Sequence, residues 1–203
     1  MKSIMQSIHP IHCENIAIGR KGYEVRKTKP KIETPFKSYI YCTRDKEIFY
    51  RSRYRNDFIV YKPKFYKDTE ILLQQNGHTV FNGKVIGEYI CDEIQEWKFD
   101  NETNSYDICD DDLALTCLTQ EQLWDYGKGK TLYGYHISAL KIYDEPKALS
   151  RFGTKCNLDC PSVRCPYWKY QRVNADEWDY DCSCNNIRPL TRPPQSWYYV
   201  KGV

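Results

Sequence analysis

The chain has 203 residues, 41% of them hydrophobic and 15% aromatic with 18 Tyr, which suffices for one core of ordinary size and contains no apolar run long enough to span a membrane. The net charge of +3 is unremarkable, but its distribution is uneven: residues 20–37 carry seven Lys/Arg against two Glu, 44–67 carry eight against three acids, and 88–125 carry one Lys against twelve acids. A basic first third followed by an acidic middle fits either a polyanion partner for the basic part or a solvated dipolar surface.

The opening "MKSIMQSIHP" lacks the continuous apolar segment of a signal peptide, so a cytoplasmic location is expected. Ten Cys in a reducing compartment do not make a disulfide framework. Some are expected to be buried as small hydrophobes and some to hold metal.

Taken in chain order, "KSIMQSIHP" predicts a first strand ending at His9-Pro10. "PIHCENIAIG" follows as a helix of two to three turns, with Pro10 in its first turn and Gly19 as its stop. "GYEVRK" and "FKSYIYCT" read as strands, separated by the Pro-bounded loop "TKPKIETP". The segment 45–82 is less regular and reads as an aromatic-basic insertion, a hairpin or an ordered excursion. "NGKVIGEYICDEIQEW" gives a turn at Asn82-Gly83 and then a strand. Within "DICDDDLALTCLTQEQLWDYGKGK", Thr119 and Gln122 form a capping box for a short helix ended by Gly127. "TLYGYHISALKIYDEP" is a strand stopped before Pro146, and "SWYYV" is the last one. With no βαβ alternation and no repeat, this order predicts a mixed, mainly antiparallel, barrel-like α+β domain over residues 1–203, with a cysteine-rich loop at 156–187.

The stretch "GRKGYEVR" sets one acid among bases on a predicted strand: Lys21, Glu24 and Arg26 after Gly19. Alternation sends Glu24 and Arg26 to one face and Tyr23 and Val25 to the other, with Lys21 at the strand entrance. Glu24 can pair with Lys21 or Arg26 and fix the guanidinium fork for a phosphate or a base edge. The helix ending at Gly19 turns its negative end toward Lys21. The competing reading is an edge strand that keeps its charges in water to resist aggregation.

Three further segments accompany this motif in order: "GKVIGEYICDEI", "LYGYHISALKIYDEPKALSRF" and "RPPQSWYYV". Together the four resemble the ASCH domain, a PUA-like β-barrel, in the small form carried by bacteriophages and prophages. The resemblance covers most of the chain apart from 45–81 and 156–187. It implies a PUA-like barrel that binds RNA or a modified nucleotide in a cleft beside the first helix. Members of the family that deacetylate acetylated cytidine use a Lys, a Thr nucleophile and a Glu. The Lys of that set matches Lys21, whereas the place of the Thr is taken by Glu24, and a carboxylate does not replace an activated hydroxyl as acyl acceptor. Ribonuclease activity, also attributed to the family, needs a base, an acid and a cation at the phosphate. Lys21, Glu24 and Arg26 offer all three, with His136 or Glu88 as accessories.

Other positions carry weaker signals. His136 in "GYHIS" reads as a hydrogen-bonded packing residue, Glu88 follows a possible bulge at Gly87, and Trp197 after "RPPQ" reads as core, with base stacking as the alternative. Seven aromatics between Arg44 and Lys67 alternate with cations, a mixture that suits single-stranded nucleic acid, although most of these rings are expected to point inward. In "RSRYR", strand alternation would put Arg51, Arg53 and Arg55 on one face as a phosphate track.

Cys156, Cys160, Cys165, Cys182 and Cys184 fall at C-x3-C-x4-C and C-x-C spacings in a segment too poor in aliphatic residues to build its own core. Four thiolates on a structural zinc would supply the folding energy. Two disulfides with a free thiol, or five reduced thiols, are the alternatives. Three functions stay open at this point: nucleic-acid or nucleotide binding, hydrolysis of RNA or a modified nucleoside through Lys21 and Glu24, and inhibition of a host protein by the acidic face 88–125.

Overall fold

A computed structural model describes residues 3–155, 168–174, 177–182 and 187–202. The chain begins with strand β1 (Ser3–Ile8), helix α1 (Pro10–Ala17) and strand β2 (Tyr23–Arg26), then β3 (Phe36–Cys42), β4 (Ile48–Arg51) and β5 (Phe58–Tyr61). Helix α2 (Tyr66–Gln75) precedes β6 (Thr79–Val80), β7 (Lys84–Cys91), β8 (Ile94–Trp97), β9 (Phe99–Asp100) and β10 (Ser105–Tyr106). Helices α3 (Asp110–Thr116) and α4 (Gln120–Gly127) lead into β11 (Leu132–His136) and β12 (Ser138–Ala148). The chain closes with β13 (Phe152–Lys155), β14 (Trp168–Asn174), β15 (Glu177–Cys182), β16 (Ile187–Pro189) and β17 (Trp197–Gly202).

Seven strands form the main sheet in the order β12-β7-β3-β1-β17-β13-β16. Only the β1–β3 pair in it is parallel, with Ser3 opposite Lys37 and Ile8 opposite Cys42, and the intervening α1 and β2 supply the crossover that a parallel pair requires. A second sheet runs β2-β11-β8 and a third β5-β4-β6. The mixed, mainly antiparallel α+β class predicted from sequence is the class observed. The described strands form separate open sheets and do not close into a barrel.

Two core clusters anchor β1, α1 and β2. The larger joins Ile4, Ile8, Cys13, Ile16, Phe36, Ile40 and Ile86 to Phe49 and Phe81 of the 45–82 segment. Another places Tyr23 and Val25 of β2 against Trp97, Tyr106, Leu123 and Leu132. Thus the two apolar residues of β2 point where alternation predicts. Helix α1 starts with Pro10 and stops where Gly19 takes φ +75°, a left-handed turn that a side chain would strain. The capping box of α4 is present as predicted: Gln122 N donates to Thr119 Oγ1 at 3.2 Å, and Thr119 N donates to Gln122 Oε1 at 2.9 Å.

Three local expectations change. Segment 45–82 contains the hairpin offered for it, β4 paired antiparallel with β5, but it also contains helix α2, which the sequence does not announce and which buries none of its residues. Strand β12 runs through Pro146 to Ala148. It can do so because β12 is an edge strand and Pro146 lies in a register shift between Ile142 and Lys147, where no ladder N–H is needed. Helix α4 ends at Gly127, but Lys128, not the glycine, takes the left-handed cap; a Cβ on Gly127 would collide with Tyr106 Oη.

Candidate functional site

Four backbone hydrogen bonds fix the entry to β2 before any side chain acts. Arg20 N and Lys21 N both donate to Asn15 O at the end of α1, at 2.9 and 3.0 Å. Gly22 N donates to Leu115 O of α3 at 2.8 Å, and Gly22 O accepts from Ile137 N at 2.8 Å. Lys21 therefore sits between the C-terminal ends of two helices. Its Nζ donates to Thr116 O, one of the carbonyls that the end of α3 leaves without an intrahelical partner. Both helix ends are negative and both favour the cation.

The charges of the motif are buried together. Lys21, Glu24 and Arg26 are 3%, 5% and 6% exposed. Arg26 Nη2 lies 2.9 Å from Glu24 Oε1 and donates to Ser7 O at 2.8 Å, while Lys21 Nζ lies 3.8 Å from Glu24 Oε2. Glu24 and Arg26 share a face as expected. Lys21 joins them and not Tyr23, because it precedes the strand and escapes its alternation. Although β2 is an edge strand of its sheet, its charges are not in water, so resistance to aggregation does not explain them. Burial lowers the Lys21 ammonium below the usual lysine value, and Glu24 opposes that shift.

A cavity of about 650 Å³ opens over this group. The end of β1 and the start of α1 form one wall with Ser7, His9, Ile11 and His12. Helix α4 supplies Gln122, Asp125 and Tyr126, and the segment before β17 supplies Gln195 and Ser196. Four buried polar atoms of residues lining it lack a hydrogen-bond partner among the described residues: Glu24 Oε2, Arg26 Nε, His12 Nδ1 and Thr43 Oγ1. Buried groups of this kind are ordinarily satisfied, so their concentration around one cavity marks it out. Burial also lowers His12 from its usual value, which favours the neutral ring, and Glu24 opposes that shift.

Sequence reasoning identified Lys21, Glu24 and Arg26 but missed His12, Thr43, Gln122 and Tyr126. Of these, Gln122 was visible only as a helix cap. The other three carry no local signal, since long-range packing brings them to the cavity.

The remaining candidates lie elsewhere. Strand β4 ends at Arg51, and Arg53 and Arg55 belong to the turn that follows, so strand alternation does not set their common face. Arg51 donates to Asp144 Oδ1 at 3.2 Å and to Asp144 O at 2.7 Å. None of the three lines the cavity. His136 Nδ1 pairs with Asp92 at 2.7 Å, in keeping with a packing role. A bulge does sit next to Gly87: Ile40 faces Gly87 while Tyr41 faces Val85, leaving Ile86 as the extra residue. Glu88 then bonds Lys37 Nζ at 2.8 Å and Tyr143 Oη at 2.6 Å. Trp197 packs beside the larger core cluster and donates to Thr28 Oγ1 at 3.0 Å. Cys156, Cys160, Cys165 and Cys184 lie outside the described residues, and of Cys182 only the backbone, at the end of β15, is described. Among the described residues no helix is long and apolar enough to cross a membrane.

No family model and no curated protein matches this chain. Among solved structures it is similar to crystal structures of ASCH from Zymomonas mobilis. One has 16% identity and a TM-score of 0.46 over 98% of this chain and 88% of that one. A mutant of the same protein has 15% identity and a TM-score of 0.47 over 99% of this chain and 91% of that one.

Proposed function

We propose that the cavity over Lys21, Glu24 and Arg26 binds a nucleotide, either within RNA or as a free modified nucleoside or nucleotide. The observation that carries this reading is the buried Lys-Glu-Arg group, with no hydrogen bond among the described residues at Glu24 Oε2 and Arg26 Nε, beside a cavity of about 650 Å³. That volume falls in the range of roughly 300–1,000 Å³ of small-molecule sites. The donors suit a phosphate or a base carbonyl, the carboxylate suits a base N–H, and the Tyr126 ring offers apolar surface for a base. The basic segment 20–37, which contributes Lys21 and Arg26 to the site, favours a polyanion.

Calorimetric titration with a panel of nucleosides, nucleotides and short RNAs tests the reading. Thr43→Val, nearly isosteric, removes one unpartnered hydroxyl and is expected to weaken the best ligand several-fold at unchanged melting temperature. Failure of the whole panel to bind at millimolar concentration would overturn the proposal. Hydrolysis is the second reading, favoured by the lowered Lys21 amine, which is more available as a base than an exposed lysine. Against it, Lys21 is engaged by Thr116 O and Glu24 by Arg26. Product release that Lys21→Met abolishes would make the site catalytic.

The cysteine-rich segment carries a separate proposal, supported by spacing alone: Cys156, Cys160, Cys165 and either Cys182 or Cys184 hold one structural zinc. Elemental analysis of reduced, chelator-free protein is expected to give one zinc per chain, and its absence sinks the assignment.

A further inference from the structure

The turn between β4 and β5 contains the most exposed of the large hydrophobic side chains among the described residues. Tyr54 is 71% exposed, whereas Phe49, five residues before it, and Phe81, just after β6, are fully buried. Core packing thus accounts for those two phenylalanines and not for Tyr54.

The turn is nevertheless well built. Asn56 N donates to Ser52 O at 2.9 Å, Ser52 N donates to Asp57 O at 2.8 Å, and Tyr54 N donates to Ser52 Oγ at 3.3 Å. His78 braces it from the far side of α2. Its Nδ1 accepts from Arg53 N at 3.3 Å, and its ring stands edge-on between Tyr50 at 5.4 Å and Tyr54 at 5.7 Å. The Arg53 guanidinium covers the Tyr54 ring at 4.7 Å. The result is an aromatic ladder, Tyr50-His78-Tyr54, whose last ring projects into solvent. Arg53 and Arg55 flank Tyr54 in the chain, and among the described residues neither makes an ion pair. Acids near the turn include Asp57, in the turn itself, and Asp144, which Arg51 engages.

We propose that this turn is a stacking site for single-stranded nucleic acid, with Tyr54 receiving a base and Arg53 and Arg55 the flanking phosphates. An exposed ring held in place loses little freedom when a base stacks on it, and every base offers a face to it, so the site is sequence-tolerant. The cations match the polyanion, and residues 44–67 carry eight Lys/Arg against three acids. This site is separate from the cavity, since none of its residues lines that cavity, and it binds the polymer where the cavity takes a single nucleotide.

Fluorescence anisotropy with labelled oligo(U) and oligo(dT) of about ten nucleotides tests it at low and moderate salt. Tyr54→Ala is expected to weaken binding about fivefold or more, with Tyr54→Phe retaining most of the affinity. Arg53→Gln with Arg55→Gln is expected to flatten the salt dependence by roughly 0.7 in log-log slope for each phosphate that is no longer neutralised. Either polymer satisfies the proposal, and the comparison of the two shows which is preferred. Equal affinity of the wild type and Tyr54→Ala overturns it, as does a wild type that binds neither oligonucleotide at low salt. Mononucleotide titration of Tyr54→Ala separates the two sites: binding there reports on the cavity alone.

Discussion

At the scale of single residues, Glu24 is the decisive side chain. It is the carboxylate between two cations, and all three side chains are withdrawn from water. A buried ion pair is a weak source of stability when intact but costly to break, because the surviving charge has neither water nor a partner. Removing Arg26 leaves Glu24 with Lys21, whereas removing Glu24 leaves two buried cations facing each other. Glu24→Met is therefore expected to destabilise the protein by about 4 kcal/mol, more than Arg26→Met. The double variant should cost clearly less than the sum of the singles. Urea unfolding of the four proteins measures this, and additive effects would mean that the two side chains do not depend on each other. The charge pattern itself was legible in the sequence, as was the Glu24–Arg26 face. What completes the site was not: Thr116 and Tyr126 lie about a hundred residues away in the chain, and no local periodicity encodes such proximity.

At the scale of elements, local chemistry decided which predictions held. Helix α1, β2 and the capping box of α4 carry their own start and stop signals, so they could be read residue by residue. Helix α2 could not, because the signal of an amphipathic helix is a buried stripe, and Ile71 and Leu72 are instead 51% and 57% exposed. Strand β12 continues past Pro146, where the sequence predicts a stop, because a register shift that no pattern announces removes the cost of the missing N–H. The same strand takes part in a clamp across three strands: Lys37 of β3, Glu88 of β7 and Tyr143 of β12. Burial tends to raise the Glu88 carboxyl, but the bonds from Lys37 and Tyr143 outweigh it and hold the group below its usual value of 4.5. A carboxyl depressed in the folded state contributes stability that is fully present above the unfolded value and is lost as pH falls through the folded one. Stability should accordingly decline below about pH 4.5, and Glu88→Gln should make that decline shallower, by at most about 1 kcal/mol for this partly exposed group. Urea midpoints at pH 6 and pH 3.5 for both proteins would show it, and parallel declines would assign the acid sensitivity to other carboxyls.

At the scale of the whole molecule, segment 45–82 looks like an appendage in sequence, since its composition departs from that of its flanks. The structure ties it to the centre. Phe49 and Phe81 belong to the same core cluster as Ile4, Ile8 and Ile40 of the main sheet, and Phe58 and Val60 pack against that cluster. Polar contacts reinforce the junction: Val60 N donates to Glu14 Oε1 of α1 at 3.1 Å, and buried Asn82 bonds Phe49 N, Thr43 O and Glu47 O. Aromatic rings that lie in a shared core cannot leave it without opening the rest, so the segment should unfold with the main sheet and not before it. Hydrogen exchange can resolve this. The amides of Phe49 and Phe81, bonded to Asn82 Oδ1 and Phe49 O at 2.8 and 2.9 Å, are expected to match those of β3 in protection. Phe49→Ala should destabilise both groups of amides together, by about 3–5 kcal/mol. If Phe49→Ala instead released 45–82 alone while β3 stayed protected, the segment would be an independent unit, and its stacking turn would be carried on a detachable arm and not on a face fixed relative to the cavity.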